Sequence, residues 1–289
     1  MSKRSKCCII GIPDHQGVIH VGGRVGAASG PEAFRDIFLK MRGRVSIQNI
    51  LKDVLIDAGN VTDLGTDVEH NHRQAADMIK KYQSESGLSI VIGGGHDHGY
   101  SHLMGISEYL KNDSSRHRLG CINIDAHLDV RKPAPLITSG SPFYLAVESG
   151  ILDPRRFIEF GIQSHCNSPE LWDYAKAKKL QTVHFQDLRR GKAVSVFKSK
   201  LEKLASICDA IVISLDLDAL ASAFSPGVSA PQAEGFTSME IIEMMQLAGS
   251  QRKVVSLGIF ELNPNHDEGQ RSARLAAKVA YDFVEAALF

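Results

Sequence analysis

Cys121-Ile122-Asn123-Ile124 runs directly into Asp125-Ala126-His127-Leu128-Asp129, an apolar stretch that ends in three metal-seeking side chains. The same pattern recurs twice. Ser89-Ile90-Val91-Ile92 passes through Gly93-Gly94-Gly95 into His96, and Ile211-Val212-Ile213-Ser214-Leu215 runs into Asp216 and Asp218. Short apolar runs rich in β-branched residues are expected as strands buried on both faces, the signature of a parallel sheet. A strand turns residues i, i+2 and i+4 to one side, so Asp125, His127 and Asp129 are expected to share a side, as are Asp216 and Asp218. Ionised carboxylates at the end of a buried strand need strong compensation. Four aspartates and two histidines at three such ends point to bound cations.

Outward from these runs, strand-like and helix-like segments alternate. Strands are expected at Cys7–Ile12, Val54–Ile56, Phe157–Ile162, Val183–Phe185 and Val254–Leu262. Gly30-Pro31 opens a helix to about Met41, with proline at the first turn. Further helices are expected at Arg73–Tyr82, Gly99–Leu110 and Val194–Ala205, and from Ser168-Pro169 to Lys179 with Ser168 as cap. Thr237-Ser238-Met239-Glu240 is a capping box opening a helix through Leu247. Leu275, Ala276, Val279, Ala280, Phe283 and Val284 give a final helix its apolar stripe. Alternating strands and helices imply an α/β protein with a mostly parallel central sheet between helical layers. No linker or internal repeat divides the 289 residues, so one domain spanning 1–289 is expected. In such sheets, sites form at the carboxyl ends of the strands, where the Asp and His clusters fall.

Lys and Arg together number 33, as do Asp and Glu, so the formal charge is zero and neither nucleic acid nor an anionic membrane is expected as partner. Five scattered cysteines, with no C-x-x-C pair, fit a reducing compartment better than a disulfide framework. The basic Met1-Ser2-Lys3-Arg4-Ser5-Lys6 start is followed by only a short apolar run, which disfavours a signal peptide, and no run reaches transmembrane length. A cytoplasmic protein is expected. The glycine-rich stretches Gly22–Gly30 and Gly93–Gly95 match neither a P-loop nor a dinucleotide fingerprint and are taken as loops where backbone approaches the site.

Six ligands (His96, Asp125, His127, Asp129, Asp216 and Asp218) suffice for two divalent ions, and four carboxylates neutralise their charge. Carboxylate with imidazole and no thiolate favours hard or borderline ions, Mn²⁺ first. Two ions about 3.5 Å apart can share a water and bring its pKa towards neutrality, enough to hydrolyse an unreactive C–N bond. His98, His102 and His266 compete for such roles, but each is expected to be structural or solvent-exposed.

Gly93-Gly94-Gly95-His96, Asp125-Ala126-His127-Leu128-Asp129 and Ser214-Leu215-Asp216-Leu217-Asp218, in that order, resemble the three signatures of the ureohydrolase superfamily of arginases, agmatinases and formimidoylglutamases. The resemblance implies a three-layer α/β/α arginase-like fold, two Mn²⁺ per subunit and a homo-oligomer, trimeric or hexameric. It implies His96, Asp125, Asp129 and Asp216 around one ion and Asp125, His127, Asp216 and Asp218 around the other. Within the superfamily, Thr138-Ser139-Gly140-Ser141-Pro142-Phe143 lacks the histidine of arginases and resembles formimidoylglutamases, as do Gly93-Gly94-Gly95-His96 and Gly23–Ala28. That branch often has Glu after the motif histidine, whereas Asp97-His98 stand here.

The expected reaction is hydrolysis of formimidoylglutamate to glutamate and formamide. The superfamily uses the glutamate matching Glu261 to hold the C–N group, and a carboxylate suits an amidinium. Asp129 is expected to help move the proton to the leaving nitrogen. Arg131, two residues past Asp129, is expected to bind a substrate carboxylate, with Ser139, Gly140 and Ser141 adding donors. The alternatives are a guanidino hydrolase releasing urea, a one-zinc deacetylase of related fold, and a non-catalytic binding protein; the intact ligand set argues against the last two.

Overall fold

The computed structural model describes residues 6–42, 54–111 and 117–289; the basic segment Met1–Ser5 lies outside them. Among the described residues, eight strands form one sheet: β1 (Cys7–Gly11), β2 (Leu55–Asn60), β3 (Ser89–Ile92), β4 (Leu119–Ile124), β5 (Phe157–Ile162), β6 (Gln181–His184), β7 (Ala210–Asp216) and β8 (Val254–Phe260). Their order is β2-β1-β3-β8-β7-β4-β5-β6, and every pairing is parallel. Parallel pairing follows from the connections, because a helix between two strands returns the chain to the same edge. The sheet is thus wholly parallel rather than mostly so.

Among the described residues, ten α-helices flank it: α1 (Gln16–Val21), α2 (Gly30–Phe38), α3 (Val68–Ser86), α4 (His98–Lys111), α5 (Pro142–Glu148), α6 (Pro169–Lys178), α7 (Phe185–Leu188), α8 (Ala193–Ile207), α9 (Ser238–Ser250) and α10 (Arg271–Leu288). Successive strand residues feed opposite layers. Ile90, Ile122, Ile124, Ile211 and Ile213 pack with Phe34, Phe197, Met244 and Phe283 from α2, α8, α9 and α10. Val91, Cys121 and Val212 pack with Ile79, Leu103 and Phe143 from α3, α4 and α5. Each such isoleucine or phenylalanine, fully buried, contributes about 1.5–3 kcal/mol, which explains why the central strands are largely apolar.

The expected elements are present with shifted ends. β2 runs four residues beyond Val54–Ile56, and α3 starts at Val68, where the Asp67 side chain accepts the Glu69 and His70 N–H groups. Ser168 occupies the cap position of α6 but makes no capping hydrogen bond. Thr237 and Glu240 form the reciprocal capping box of α9. α1, α5 and α7 were not expected, and α7 begins at Phe185, which the expected strand Val183–Phe185 had included. α1 has only six residues and its cap residue, His15, makes no side-chain cap bond, so local sequence carries no start signal.

What the order achieves is positional. β3, β8, β7 and β4 are consecutive in the sheet, and their carboxyl ends deliver His96, Glu261, Asp216 with Asp218, and Asp125 to Asp129 to one edge.

Candidate metal centre

β4 ends at Ile124, so Asp125–Asp129 is a turn, not a continuing strand. The alternation expected for these residues is therefore not what brings them together. The turn is tied from both sides. Asp125 Oδ1 accepts the His127 N–H at 2.7 Å, and the Asn167 amide accepts the Leu128 N–H at 2.8 Å while donating to Ala126 O at 3.1 Å. Asp129 sits at φ +49°, a region that disfavours a side chain and is held only where the surroundings impose it. Asp218 likewise lies in a 3-10 turn, Leu217–Ala219, its N–H bonded to Asp216 Oδ1 at 2.8 Å.

All six expected ligands converge. His96 Nδ1 stands 3.1 Å from Asp125 Oδ2, 2.9 Å from Asp129 Oδ2 and 3.0 Å from Asp216 Oδ2. It makes a directed hydrogen bond to none of them. One proton on one nitrogen cannot serve three carboxylates, whereas a cation among the four atoms serves all of them. A second set brings Asp125, His127 and Asp218 together, His127 Nδ1 lying 3.3 Å from Asp125 Oδ1 and 3.3 Å from Asp218 Oδ2. Asp125 belongs to both sets and turns one oxygen to each. Asp216 faces the His96 set, with its other oxygen engaged by the Asp218 N–H. His96 Nε2 is 2.8 Å from Ser214 Oγ, a contact through which an Nε2–H can be donated, leaving Nδ1 as a ligand atom. Phe260 stacks on the same ring at 5.0 Å. The donor set thus fits two divalent cations.

Electrostatics agree. Burial and the neighbouring Asp125 push the Asp129 carboxyl up to about 6. Burial and Asp216 raise Asp218 well above the carboxylate range. Burial would lower His127, yet Asp218 and Asp125 lift it well above the usual imidazole value. Carboxylates that hold protons and imidazoles that gain them mark a cavity short of positive charge.

Glu261 follows β8 at φ +63°, its N–H bonded to Gly94 O at 2.9 Å. Its Oε1 accepts the His96 N–H at 2.9 Å, and its buried Oε2 has no partner in the protein. Burial, then the charge of Asp216, raise this carboxyl well above its ordinary range. An unpartnered acceptor beside the metal ligands is a place for a substrate N–H.

Arg131 is exposed, its N–H bonded to Gly140 O at 2.8 Å. The open side of Gly140 looks onto Arg131 Nε and Asp129 Oδ1, 3.5 and 3.6 Å from where a Cβ would stand. Ser139 and Gly140 are half-buried at this rim. Ser141 is fully buried, and its hydroxyl is engaged by Thr138, 3.2 Å from the N–H and 3.1 Å from Oγ1. It braces the loop rather than facing the opening. His98 and His102 are fully buried and hydrogen-bonded within the protein, His98 to Asp14 and Ser101 and His102 to Ser256; His266 is exposed.

The sequence carried no signal for the supports beneath the centre. Asn123 Nδ2 lies 3.3 Å from Asp125 Oδ2 and 3.0 Å from Glu159 Oε2, a pairing created by the register of β4 against β5. Only the strand register shows it.

Fold and centre together define a metal-dependent hydrolase of α/β/α architecture. Residues 5–285 match the profile of the Arginase family, and the chain belongs to that family. It is 31% identical over 284 residues to formimidoylglutamase of Staphylococcus carnosus, covering 98% of this chain and 87% of that one. The crystal structure of Trypanosoma cruzi formiminoglutamase with Mn²⁺ is similar with a TM-score of 0.84 and 30% identity, covering 98% of this chain and 93% of that one. The formimidoylglutamase structure from Bacillus subtilis shares the fold with a TM-score of 0.88 at 23% identity, covering 100% of this chain and 88% of that one.

Proposed function

We propose that this chain is a binuclear-metal hydrolase that cleaves the linear amidine C–N bond of formimidoylglutamate, releasing glutamate and formamide. The observation that carries it is His96 Nδ1 facing three carboxylate oxygens at 2.9–3.1 Å, with Asp125 common to a second set. Family membership and the names of the S. carnosus and T. cruzi relatives support the choice of substrate, and the metal named in the T. cruzi structure supports Mn²⁺. His96, Asp125, Asp129 and Asp216 would hold one ion, and Asp125, His127 and Asp218 the other, with Asp216 between them. When bound, two such ions polarise the substrate and lower the pKa of a shared water.

The chain's own residues do the rest. Glu261 Oε2, desolvated and unpartnered, accepts an amidinium N–H and so orients the formimidoyl group over the cavity. Desolvation makes that bond strong and excludes the bulk water that would compete for it. Asp129 turns Oδ2 towards the His96 set, and its carboxylate is placed to take a proton from the attacking water and pass it to the leaving nitrogen. The glutamate portion carries two carboxylates, and Arg131 at the rim supplies the bidentate guanidinium that suits one of them. The Ser139 N–H is bonded to Gly17 O at 3.0 Å, so Ser139 has only its hydroxyl to offer.

The whole chain acts as a single catalytic domain with a small-molecule substrate. Its even charge and the absence, among the described residues, of any helix able to cross a membrane support a cytoplasmic enzyme without nucleic-acid or membrane partners. By analogy with its superfamily it assembles as a homotrimer or hexamer. The test is product analysis of Mn²⁺-loaded protein on formimidoylglutamate beside arginine and agmatine. Formamide from the first and little urea from the others is expected; urea from a guanidino compound without formamide contradicts the proposal and selects the guanidino-hydrolase alternative.

A further inference from the structure

One buried polar cluster lies outside the six ligands and is unused by the chemistry above. Asp14 follows β1, Asn71 and His72 lie on α3, and Asp97 and His98 immediately follow His96; none of the five is more than 4% exposed. His72 Nε2 is 3.0 Å from Asp97 Oδ2, and His98 Nε2 is 3.0 Å from Asp14 Oδ2. Asn71 Nδ2 donates to the same Asp14 oxygen at 2.8 Å, and the Gln16 N–H donates to Asp14 Oδ1 at 2.9 Å. The Gly95 N–H donates to the Asp14 carbonyl at 3.0 Å. Gly94 lies against the same backbone, where a Cβ would stand 1.6 Å from Asp14 O.

His72, Asp97 and His98 are close enough to hold an ion, but the contacts differ from those of His96. Each short contact is a single donor–acceptor pair that an ordinary hydrogen bond explains, and His98 Nε2 is 3.9 Å from Asp97 Oδ2. The geometry therefore describes a clamp. Gly95, Asp97 and His98 are gripped on both sides of His96, from the segment after β1 through Asp14, which Asn71 braces, and from α3 through His72. The clamp reaches further. Asp14 Oδ1 holds the start of α1, Gly17 lies on Asp97 Oδ1 with no room for a Cβ, and Gly17 O accepts the Ser139 N–H at 3.0 Å.

We infer that Asp14, His72, Asp97 and His98 are positioning residues that fix His96 on one cation and, through α1, the Ser139–Gly140 rim over it. This rests on the metal centre proposed above. Burying these polar groups costs free energy that the His72–Asp97 and His98–Asp14 bonds offset, while His72 Nδ1 and Asp97 Oδ1 have no partner in the protein, so loss of either bond displaces the segment that carries His96. Residues that orient a metal-bound histidine typically change affinity by about 10- to 100-fold when removed.

The test is Mn²⁺ binding by equilibrium dialysis and electron paramagnetic resonance, with thermal melting as a fold check. His96→Ala is the control and loses one equivalent; retention of both would sink the proposed centre, independently of the clamp. His72→Leu is expected to weaken one of the two equivalents by about 10- to 100-fold while the other keeps its affinity. At limiting Mn²⁺ the exchange-coupled spectrum gives way to a mononuclear six-line signal. His72→Gln, which retains a donor for Asp97, recovers most of the affinity. If His72→Leu does not fold, His98→Asn, too short to span to Asp14, decides with the same expected pattern. Wild-type affinity at both sites in a folded variant overturns the clamp, as does equal weakening of both sites with a lowered melting temperature. A third wild-type equivalent lost in His98→Asn overturns it as well, by making the cluster a cation site.

Discussion

At the scale of single residues, the centre places two side chains in backbone conformations that side chains rarely adopt. Asp129 and Glu261 have φ of +49° and +63°. Such strain persists only where surrounding contacts impose it, here the Phe143 N–H on Asp129 O at 3.1 Å and the His96 N–H on Glu261 Oε1 at 2.9 Å. Glu261 is thus aimed by the backbone of His96, a proposed metal ligand. Glu261→Gln keeps the acceptor for His96 but loses the charge facing an amidinium. Steady-state kinetics on formimidoylglutamate are expected to give kcat/KM lowered by about a hundredfold or more, as for loss of a charge-assisted bond and its preorganisation. Arg131→Ala is expected to raise KM with a smaller change in kcat, because Arg131 meets the part of the substrate that does not react. An unchanged KM rejects that role.

At the scale of elements, what could be read from the sequence divides by range of interaction. The six proposed ligands could be picked out because each follows a strand whose burial is written in its own apolar run, and the structure brings them together. The means of their convergence was not, since Asp125–Asp129 turns through contacts with Asn167, a residue far along the chain. Asp14, Asn71 and His72 were missed for the same reason; they meet Asp97 and His98 only once α3 is docked. α1 was missed because its cap residue makes no capping bond. Helix caps give a local contrast. Thr237 and Glu240 satisfy each other's backbone N–H groups, whereas Ser168 caps in position only. Thr237→Ala is expected to cost about 1 kcal/mol in denaturant melts, and Ser168→Ala less than about 0.5 kcal/mol. Equal losses contradict the assignment.

At the scale of the whole molecule, the chain carries no net charge, yet it concentrates buried carboxylates at one edge of its sheet. The apo-protein must settle that charge with protons. Asp129, raised to about 6 in the fold, keeps a proton where the unfolded chain has lost it. Metal-free protein therefore loses stability as pH rises from about 4, the unfolded value, towards about 6. A bound cation needs Asp129 ionised and His96 and His127 neutral, and both histidines are raised as well. Mn²⁺ affinity is therefore expected to climb with pH through about 6, with protons released on binding. Titration calorimetry in two buffers of different ionisation enthalpy measures that release; identical heats in both contradict it.

Anomalous diffraction at the manganese edge from Mn²⁺-soaked crystals tests the paired centre most directly. Two peaks are expected, one against His96 Nδ1 and the other against His127 Nδ1, with Asp125 touching both. One peak alone, or two that do not share Asp125, would contradict it.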